Sequence, residues 1–172
     1  MAKTSVRFGL TEHKKKLKKS RPAFRKFLNR TEKSTPRGIN LLTVAVEKEV
    51  WKEVDCLSCA NCCKKMTPTF SKSDIRRISA HFGQTPEQFY KKWLMKDSNK
   101  DTVNKKQPCQ FLDLKTNKCS IYAIRPSDCA GFPHLTKTPW RDYAYIHKQN
   151  IDYCPATFRM IEKLEERLTL KV

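Results

Sequence analysis

Cysteines are the residues of this 172-residue chain best suited to chemistry, and four of the eight lie within eight positions. This group forms a C-x2-C-x2-C-C pattern, made of Cys56, Cys59, Cys62 and Cys63. A C-x2-C turn lets two sulfurs converge on one metal while backbone N–H groups point at the thiolates. The other thiols are farther apart in sequence: Cys109, Cys119, Cys129 and Cys154. The spacing therefore predicts that the cysteines bind metal.

The eight thiols divide arithmetically into two four-thiolate centres. Neighbouring Cys62 and Cys63 are awkward ligands for one tetrahedral ion, so we expect their sulfurs to face different centres. One division places Cys56, Cys59 and Cys62 in a first centre with a distal ligand, and Cys63 in a second with three later cysteines. Zn²⁺ and an iron–sulfur cluster such as [4Fe-4S] both accept four thiolates, so the spacing leaves the metal open.

Two other uses of cysteine compete with metal binding. A framework of four disulfides fits the count, but the sequence shows no secretory signal and no apolar run of membrane-spanning length. It therefore predicts a cytoplasmic protein, with the mitochondrial matrix as the lesser alternative, and thiols stay reduced in such compartments. Unconnected core cysteines are the second alternative, and they do not account for the clustering.

Few other residues suggest chemistry. Arg125 lies between two candidate ligands and could offset thiolate charge, and His134 could donate a hydrogen bond to a ligand. With four glycines there is no phosphate-binding loop, and no Cys/His or Ser/His nucleophile pattern is present. These absences favour a protein that is not an enzyme.

Positive charge is concentrated at the start of the chain. The net charge is +19, and residues 1–40 contribute +11 of it, from thirteen Lys or Arg against two acids. This predicts a basic arm that binds RNA, plausibly the ribosome, by neutralising phosphates. The candidate contacts are Lys14, Lys15, Lys16, Lys18, Lys19, Arg21, Arg25, Lys26 and Arg30, with Phe8, Phe24 and Phe27 stacking on bases.

Three alternatives remain for the basic arm. It could be disordered and solvated, as charge runs often are. It could be a mitochondrial transit segment, although lysine exceeds arginine there. An anionic membrane surface is the less favoured partner.

The elements around the cysteines are predominantly helical. Apolar spacing and cap residues predict four helices, with a loop over 96–108 and a short hairpin over 110–124 that has a cysteine at the start of each strand. The helices cover Leu41 to Val54, a segment from Ser71 to Gly83, a segment after Thr85, and a final helix from Pro155. The predicted fold is mainly α with a small β-hairpin, a metal-stapled domain over 41–172 that follows the arm of 1–40.

Four motifs resemble the CxxCxxCC zinc- or iron-chelating domain family, the YkgJ-like cysteine-cluster proteins. In order they are Cys56-Leu-Ser-Cys59-Ala-Asn-Cys62-Cys63, Pro108-Cys109-Gln-Phe111-Leu112, Cys119-Ser-Ile121-Tyr122-Ala-Ile-Arg125-Pro126-Ser-Asp-Cys129-Ala-Gly-Phe132-Pro133, and Cys154-Pro155. The resemblance implies that all eight cysteines are ligands and favours iron–sulfur. Related domains occur in bacterial flagellin lysine methylases, so the alternative function is an iron–sulfur enzyme or electron carrier in a protein-modification system.

Overall fold

A computed structural model describes residues 8–169, which divide into two units. The flanking unit comprises residues 8–59 and 133–169, and the middle unit comprises Ala60–Phe132. The chain is 62% helical and contains a two-stranded antiparallel hairpin, which confirms the mainly α class with minor β. None of the helices in the described range is long and apolar enough to cross a membrane.

The flanking unit is entirely helical apart from its connections. Its helices are α1 (Leu10–Lys33), α2 (Ile39–Glu53), α3 (Cys56–Cys59), α8 (Trp140–Asn150) and α9 (Pro155–Thr169). The middle unit holds the others: α4 (Asn61–Lys65), α5 (Lys72–His81), α6 (Pro86–Trp93), α7 (Ser127–Gly131), strands β1 (Leu94–Lys96) and β2 (Thr102–Asn104), and a 3-10 turn (Tyr122–Ile124).

The described part of the basic segment is a helix of 24 residues that packs against α8 and α9. Phe24, Phe27 and Leu28 are buried on its inner face, and Trp140 of α8 donates a hydrogen bond to Thr31 of α1. A boundary at residue 40 is therefore not where the units divide, because α1 needs α8 and α9 to cover its apolar face. The segment is structurally part of the flanking unit.

The helices predicted from Leu41 and from Pro155 are both present, as α2 and α9, and they pack on each other. Val46 and Val50 of α2 are buried, as are Phe158, Ile161 and Leu164 of α9. Charged pairs flank this contact: Arg159 donates to Glu53 at 2.7 Å, and Arg167 donates to Glu49 at 2.7 Å.

Both capped helices of the middle unit begin where the sequence predicts. The Ser71 and Thr85 hydroxyls each accept a backbone N–H three residues on, and Asp74 and Gln88 return the bond to complete two capping boxes. Gly83 follows α5 with φ +61°, a left-handed conformation that glycine adopts without strain. Six side chains form the apolar core of this unit: Phe70, Ile78, Phe89, Leu94, Phe111 and Ile121.

The predicted hairpin position is wrong. The paired strands are β1 and β2, with Met95 opposite Val103; β2 lies inside the predicted loop of 96–108, and β1 ends at its first residue. Over 110–124 the described ladder is a single bridge between Leu112 and Cys119. The turn between them does form, since Asp113 N–H donates to the Lys118 carbonyl at 2.8 Å. Pairing stops there because the chain winds into the 3-10 turn.

Candidate metal centre

The C-x2-C-x2-C-C motif lies on two consecutive short helices. Cys56 and Cys59 lie on α3 of the flanking unit, whereas Cys62 and Cys63 lie on α4 of the middle unit. Ala60, which precedes α4, has φ 47°, an uncommon conformation for a residue with a Cβ atom. All eight cysteines fall within the described residues, and none of them forms a disulfide.

Four thiols of the middle unit interact electrostatically with one another. Burial raises the pKa of Cys129, and negative charge on Cys63, Cys109 and Cys119 raises it further. Burial is also the main cause of the raised pKa of Cys109 and of Cys119, and charge on Cys63 adds to both. Partly buried thiolates that repel one another are stabilised when a cation lies among them.

The middle unit also directs N–H donors at these sulfurs. The backbone N–H of Phe111 lowers the pKa of Cys109, and that of Ile121 lowers the pKa of Cys119, in each case against the larger effect of burial. The Asn104 side-chain amide donates to Cys109 Sγ at 3.2 Å. Such bonds favour the thiolate over the thiol, and metal–thiolate centres are tuned by the same interaction.

The neighbouring cysteines of the motif have sulfurs close together. Cys62 Sγ and Cys63 Sγ are 3.9 Å apart. This contact is the first cause of a pKa for Cys63 lowered to about 7, against the opposing effect of burial. Two ligands of a tetrahedral zinc ion at about 2.3 Å lie about 3.8 Å apart. The separation is compatible with one shared ion but does not require it, so the placement of Cys62 and Cys63 in different centres stays a prediction.

Within the flanking unit, the structure brings Cys154 near Cys59. Burial raises the pKa of the Cys154 thiol, and charge on Cys59 adds to the effect. The sulfur of Cys154 accepts the backbone N–H of Thr157 at 3.5 Å and also that of Ala156 at the start of α9. This thiol thus has the same N–H environment as Cys109 and Cys119.

The thiols have the right chemistry to bind a soft metal, but their sulfurs are too far apart to coordinate one. Among residues 8–169, no three His, Cys, Asp or Glu side chains are close enough to hold an ion as they stand. Loading a metal therefore entails a closer approach of the sulfurs. Thiolates with N–H donors suit zinc, iron and iron–sulfur clusters.

A buried carboxylate positions the segment that carries Cys129. Asp74 of α5 accepts the backbone N–H and the hydroxyl of Ser127 at 3.1 and 2.9 Å. Arg77 donates to Asp74 and to the carbonyls of Ile124 and Arg125. Burial of Asp74 opposes its ionisation, but the hydrogen bonds from Ser71 and Ser127 outweigh it and lower its pKa to about 2. From the sequence, Asp74 is only an acidic residue in the first turn of the helix predicted after Ser71.

The two residues expected beside the ligands have different surroundings. Arg125 packs its guanidinium 4.1 Å from the ring centre of Tyr122, and its charge lowers the pKa of Cys119 against the larger effect of burial. The charge-offsetting role of Arg125 toward a bound centre stays a prediction. His134 is buried in the flanking unit with φ 65° and interacts electrostatically with His147.

The basic residues of α1 fall into two sets. Lys16 pairs with Glu162, and Arg21 and Arg25 both pair with Asp152, while Arg30 lies over the ring of Phe27. The second set lies on the exposed side of the helix: Lys14, Lys15, Lys18, Lys19 and Lys26. Among the ion pairs of the described residues, none involves this second set.

The aromatic residues proposed to stack on bases are instead part of the core. Phe8 and Phe24 pack on Phe158 with ring centres 5.7 and 4.9 Å away, and Phe27 is 2% exposed. That prediction is wrong, because α1 turns Phe24 and Phe27 inward and Phe8, just before the helix, packs on Phe158.

Comparisons with known proteins agree with the thiol chemistry. The family model CxxCxxCC, described as "Putative zinc- or iron-chelating domain", matches residues 55–155, which is more than half of the chain. A relative, "Uncharacterized protein MJ0661" of Methanocaldococcus jannaschii, is 31% identical over 84 residues, or 46% of this chain. The match spans 43% of that relative's length. No solved structure matches this chain significantly.

Proposed function

This chain belongs to the CxxCxxCC family of zinc- or iron-chelating domains, and on that premise we propose that one centre is built within the middle unit. Its ligands are Cys63, Cys109, Cys119 and Cys129. The observation that carries this assignment is the mutual electrostatic interaction of the four thiols. The bound group is Zn²⁺ or an iron–sulfur cluster such as [4Fe-4S], and it supplies positive charge that offsets the thiolate repulsion.

Eight thiols suffice for two centres, so we propose two per chain, the second with Cys56, Cys59 and Cys154 of the flanking unit. Cys62 is also proposed as a ligand, without assignment to either centre. The role of the metal is structural: it stabilises a middle unit whose apolar core is a cluster of six buried side chains.

Metal analysis of anaerobically purified protein tests the assignment. We expect two zinc ions or two clusters per chain, and broad visible absorption if the metal is iron–sulfur. Cys109→Ser and Cys129→Ser should each lower the metal content by one centre. Ser120→Ala, next to Cys119, is the matched control and should keep the wild-type content. Wild-type metal content in both Cys109→Ser and Cys129→Ser would contradict the assignment.

A second proposed function is RNA binding by the exposed lysines of α1, in a ribosome-associated setting. The supporting observation is that Lys14, Lys15, Lys18, Lys19 and Lys26 lie on the side of α1 opposite its buried face. From Lys14 to Lys26 the helix rises about 18 Å, at about 1.5 Å per residue. A row of ammonium groups of this length can neutralise several phosphates of one RNA strand.

Charge substitutions test RNA binding better than deletion does, because deleting α1 would expose the flanking core. We expect replacing Lys14, Lys15, Lys18 and Lys19 by Gln to weaken binding of a single-stranded RNA oligomer. The slope of log K against log salt should fall by about 3, at about 0.7 per lost phosphate contact. The control replaces four exposed lysines of the middle unit by Gln: Lys72, Lys100, Lys115 and Lys118. Equal affinity for both variants, or binding to anionic vesicles without RNA binding, contradicts the proposal.

A further inference from the structure

The carboxamide of Asn104 is buried between a ligand sulfur and a second amide. Asn104 is the last residue of β2 and is 5% exposed. Its Nδ2 atom donates to Cys109 Sγ at 3.2 Å, and its Oδ1 atom accepts from Gln110 Nε2 at 2.9 Å. A buried amide group whose N–H were left without an acceptor would be destabilising, so the sulfur completes its hydrogen bonding.

Gln110 fixes which end of the Asn104 amide faces the sulfur. The Nε2 atom of Gln110 also donates to the Trp93 carbonyl at 2.9 Å, and its Oε1 atom accepts the Lys106 backbone N–H at 3.3 Å. Both ends of the Gln110 amide are thereby assigned by backbone groups. Because Gln110 presents N–H to Asn104, the acceptor end of Asn104 is taken and its donor end points to Cys109.

A thiolate is a much better hydrogen-bond acceptor than a thiol. An N–H directed at a metal-bound thiolate withdraws electron density from sulfur, which weakens electron donation to the metal and raises the reduction potential of an iron centre. Cys109 already accepts the backbone N–H of Phe111, so Asn104 supplies a second donor to the same atom.

We propose that Asn104 tunes the electron density at the Cys109 thiolate of the middle-unit centre, and that Gln110 is the positioning residue that holds the Asn104 amide in its donating orientation. This inference rests on the proposed function, since it requires Cys109 to bind metal. A purely structural role for Asn104, linking β2 to the turn at 109–110, would leave the electronic properties of the metal unchanged.

Co²⁺ titration into the metal-free full chain is the test, because the sulfur-to-cobalt charge-transfer band reports electron density at the ligating sulfurs. In Asn104→Leu, which is close in shape and lacks the donor, we expect the band to shift to longer wavelength. Gln110→Leu should shift it in the same direction by a smaller amount, since Asn104 remains but is free to turn. Asn99→Leu, an exposed asparagine of the same unit, is the matched control and should give the wild-type spectrum.

The outcomes separate the two levels of the proposal. Absence of any thiolate charge-transfer band in wild-type protein overturns the proposed function itself. Wild-type band positions in Asn104→Leu and Gln110→Leu, with Co²⁺ bound through thiolates, overturn the tuning role alone. If Asn104→Leu does not fold, Gln110→Leu decides the question, because Gln110 does not contact the sulfur.

Discussion

The flanking and middle units are stabilised by different means. In the flanking unit, Phe158 is fully buried against Phe8 and Phe24, and Trp140, Val50 and Leu164 lie in its interior. The apolar core of the middle unit is a cluster of six buried side chains, of which only Ile78, Phe89 and Leu94 are fully buried, and the unit directs partly buried thiols toward one another. A small apolar core contributes little net stability. A bound metal therefore makes the larger contribution to the free energy of unfolding in the unit with the smaller core.

Removing the metal should give the largest effect, and it should destabilise the middle unit while leaving the flanking unit folded. Structural zinc contributes about 10–16 kcal/mol in small zinc-finger peptides, which exceeds the stability of a small apolar core. With a chelator we expect amide protection to be lost across 60–132 while α1, α8 and α9 keep theirs. Hydrogen exchange followed by mass spectrometry measures both regions at once. Equal loss in both units would contradict the contrast.

Truncating Phe158 should destabilise the flanking unit. Phe158→Ala removes a ring that is 0% exposed and contacts Phe8, Phe24 and His13. We expect the free energy of unfolding of the flanking unit to fall by about 3–5 kcal/mol in urea titrations, with the metal content unchanged. Tyr145→Ala, at an exposed position of the same unit, should change it by less than about 0.5 kcal/mol. Loss of metal in Phe158→Ala would contradict the view that the two units are stabilised by different means.

Acid should weaken the flanking unit through His147. Burial, and secondarily the charge of His134, lower the pKa of this fully buried imidazole from 6.5 to about 4. Because the unfolded chain takes up the proton first, stability is complete above about pH 6.5 and falls as the pH drops toward 4, by about 3 kcal/mol in all.

Urea titrations at several pH values can measure this loss through the near-UV signal of Trp140, whose ring lies 4.8 Å from that of His147. His147→Leu should flatten the pH dependence in this window. A variant that keeps the wild-type slope would exclude His147 as its source.

Asp74→Asn should give the smallest of these effects and should be confined to the middle unit. The folded pKa of about 2 lies below the ordinary 3.8, so the charged carboxylate contributes above pH 3.8 and loses its contribution as the pH falls through 2. At pH 7 we expect the variant to be less stable by about 2 kcal/mol, measured as faster exchange of amides in 124–131. Asp101→Asn, an exposed carboxylate of the same unit, should leave these amides unchanged.

Sequence reasoning succeeded where the signals were local. The capping boxes at Ser71 and Thr85, the glycine after α5 and the apolar repeat of α9 all act within one or two turns of helix. The cysteine motif is equally local, which is why the metal-chelating family could be predicted.

Long-range contacts explain what the sequence concealed. Pro22 and a dense run of lysines make α1 hard to predict as a long helix. Its apolar face is explained only by packing against α8 and α9. The real hairpin has strands of three residues, too short for an alternating pattern, and its turn depends on the Asp97 carboxylate accepting the N–H groups of Asn99 and Asp101. Nothing near Asn104 in sequence indicates that Gln110 will direct it at a sulfur.

The flanking unit is discontinuous in sequence, and this sets the order in which the protein can assemble during synthesis. When residue 132 has been added, every partner of the middle unit exists, whereas α1 and α2 still lack α8 and α9. Since chains fold as successive segments emerge, the cysteine-rich segment can capture its metal while the apolar faces of the first two helices remain uncovered. Metal capture by the middle unit can therefore precede closure of the N-terminal helices, whose Phe24, Phe27 and Leu28 are covered only after α8 and α9 have been synthesised.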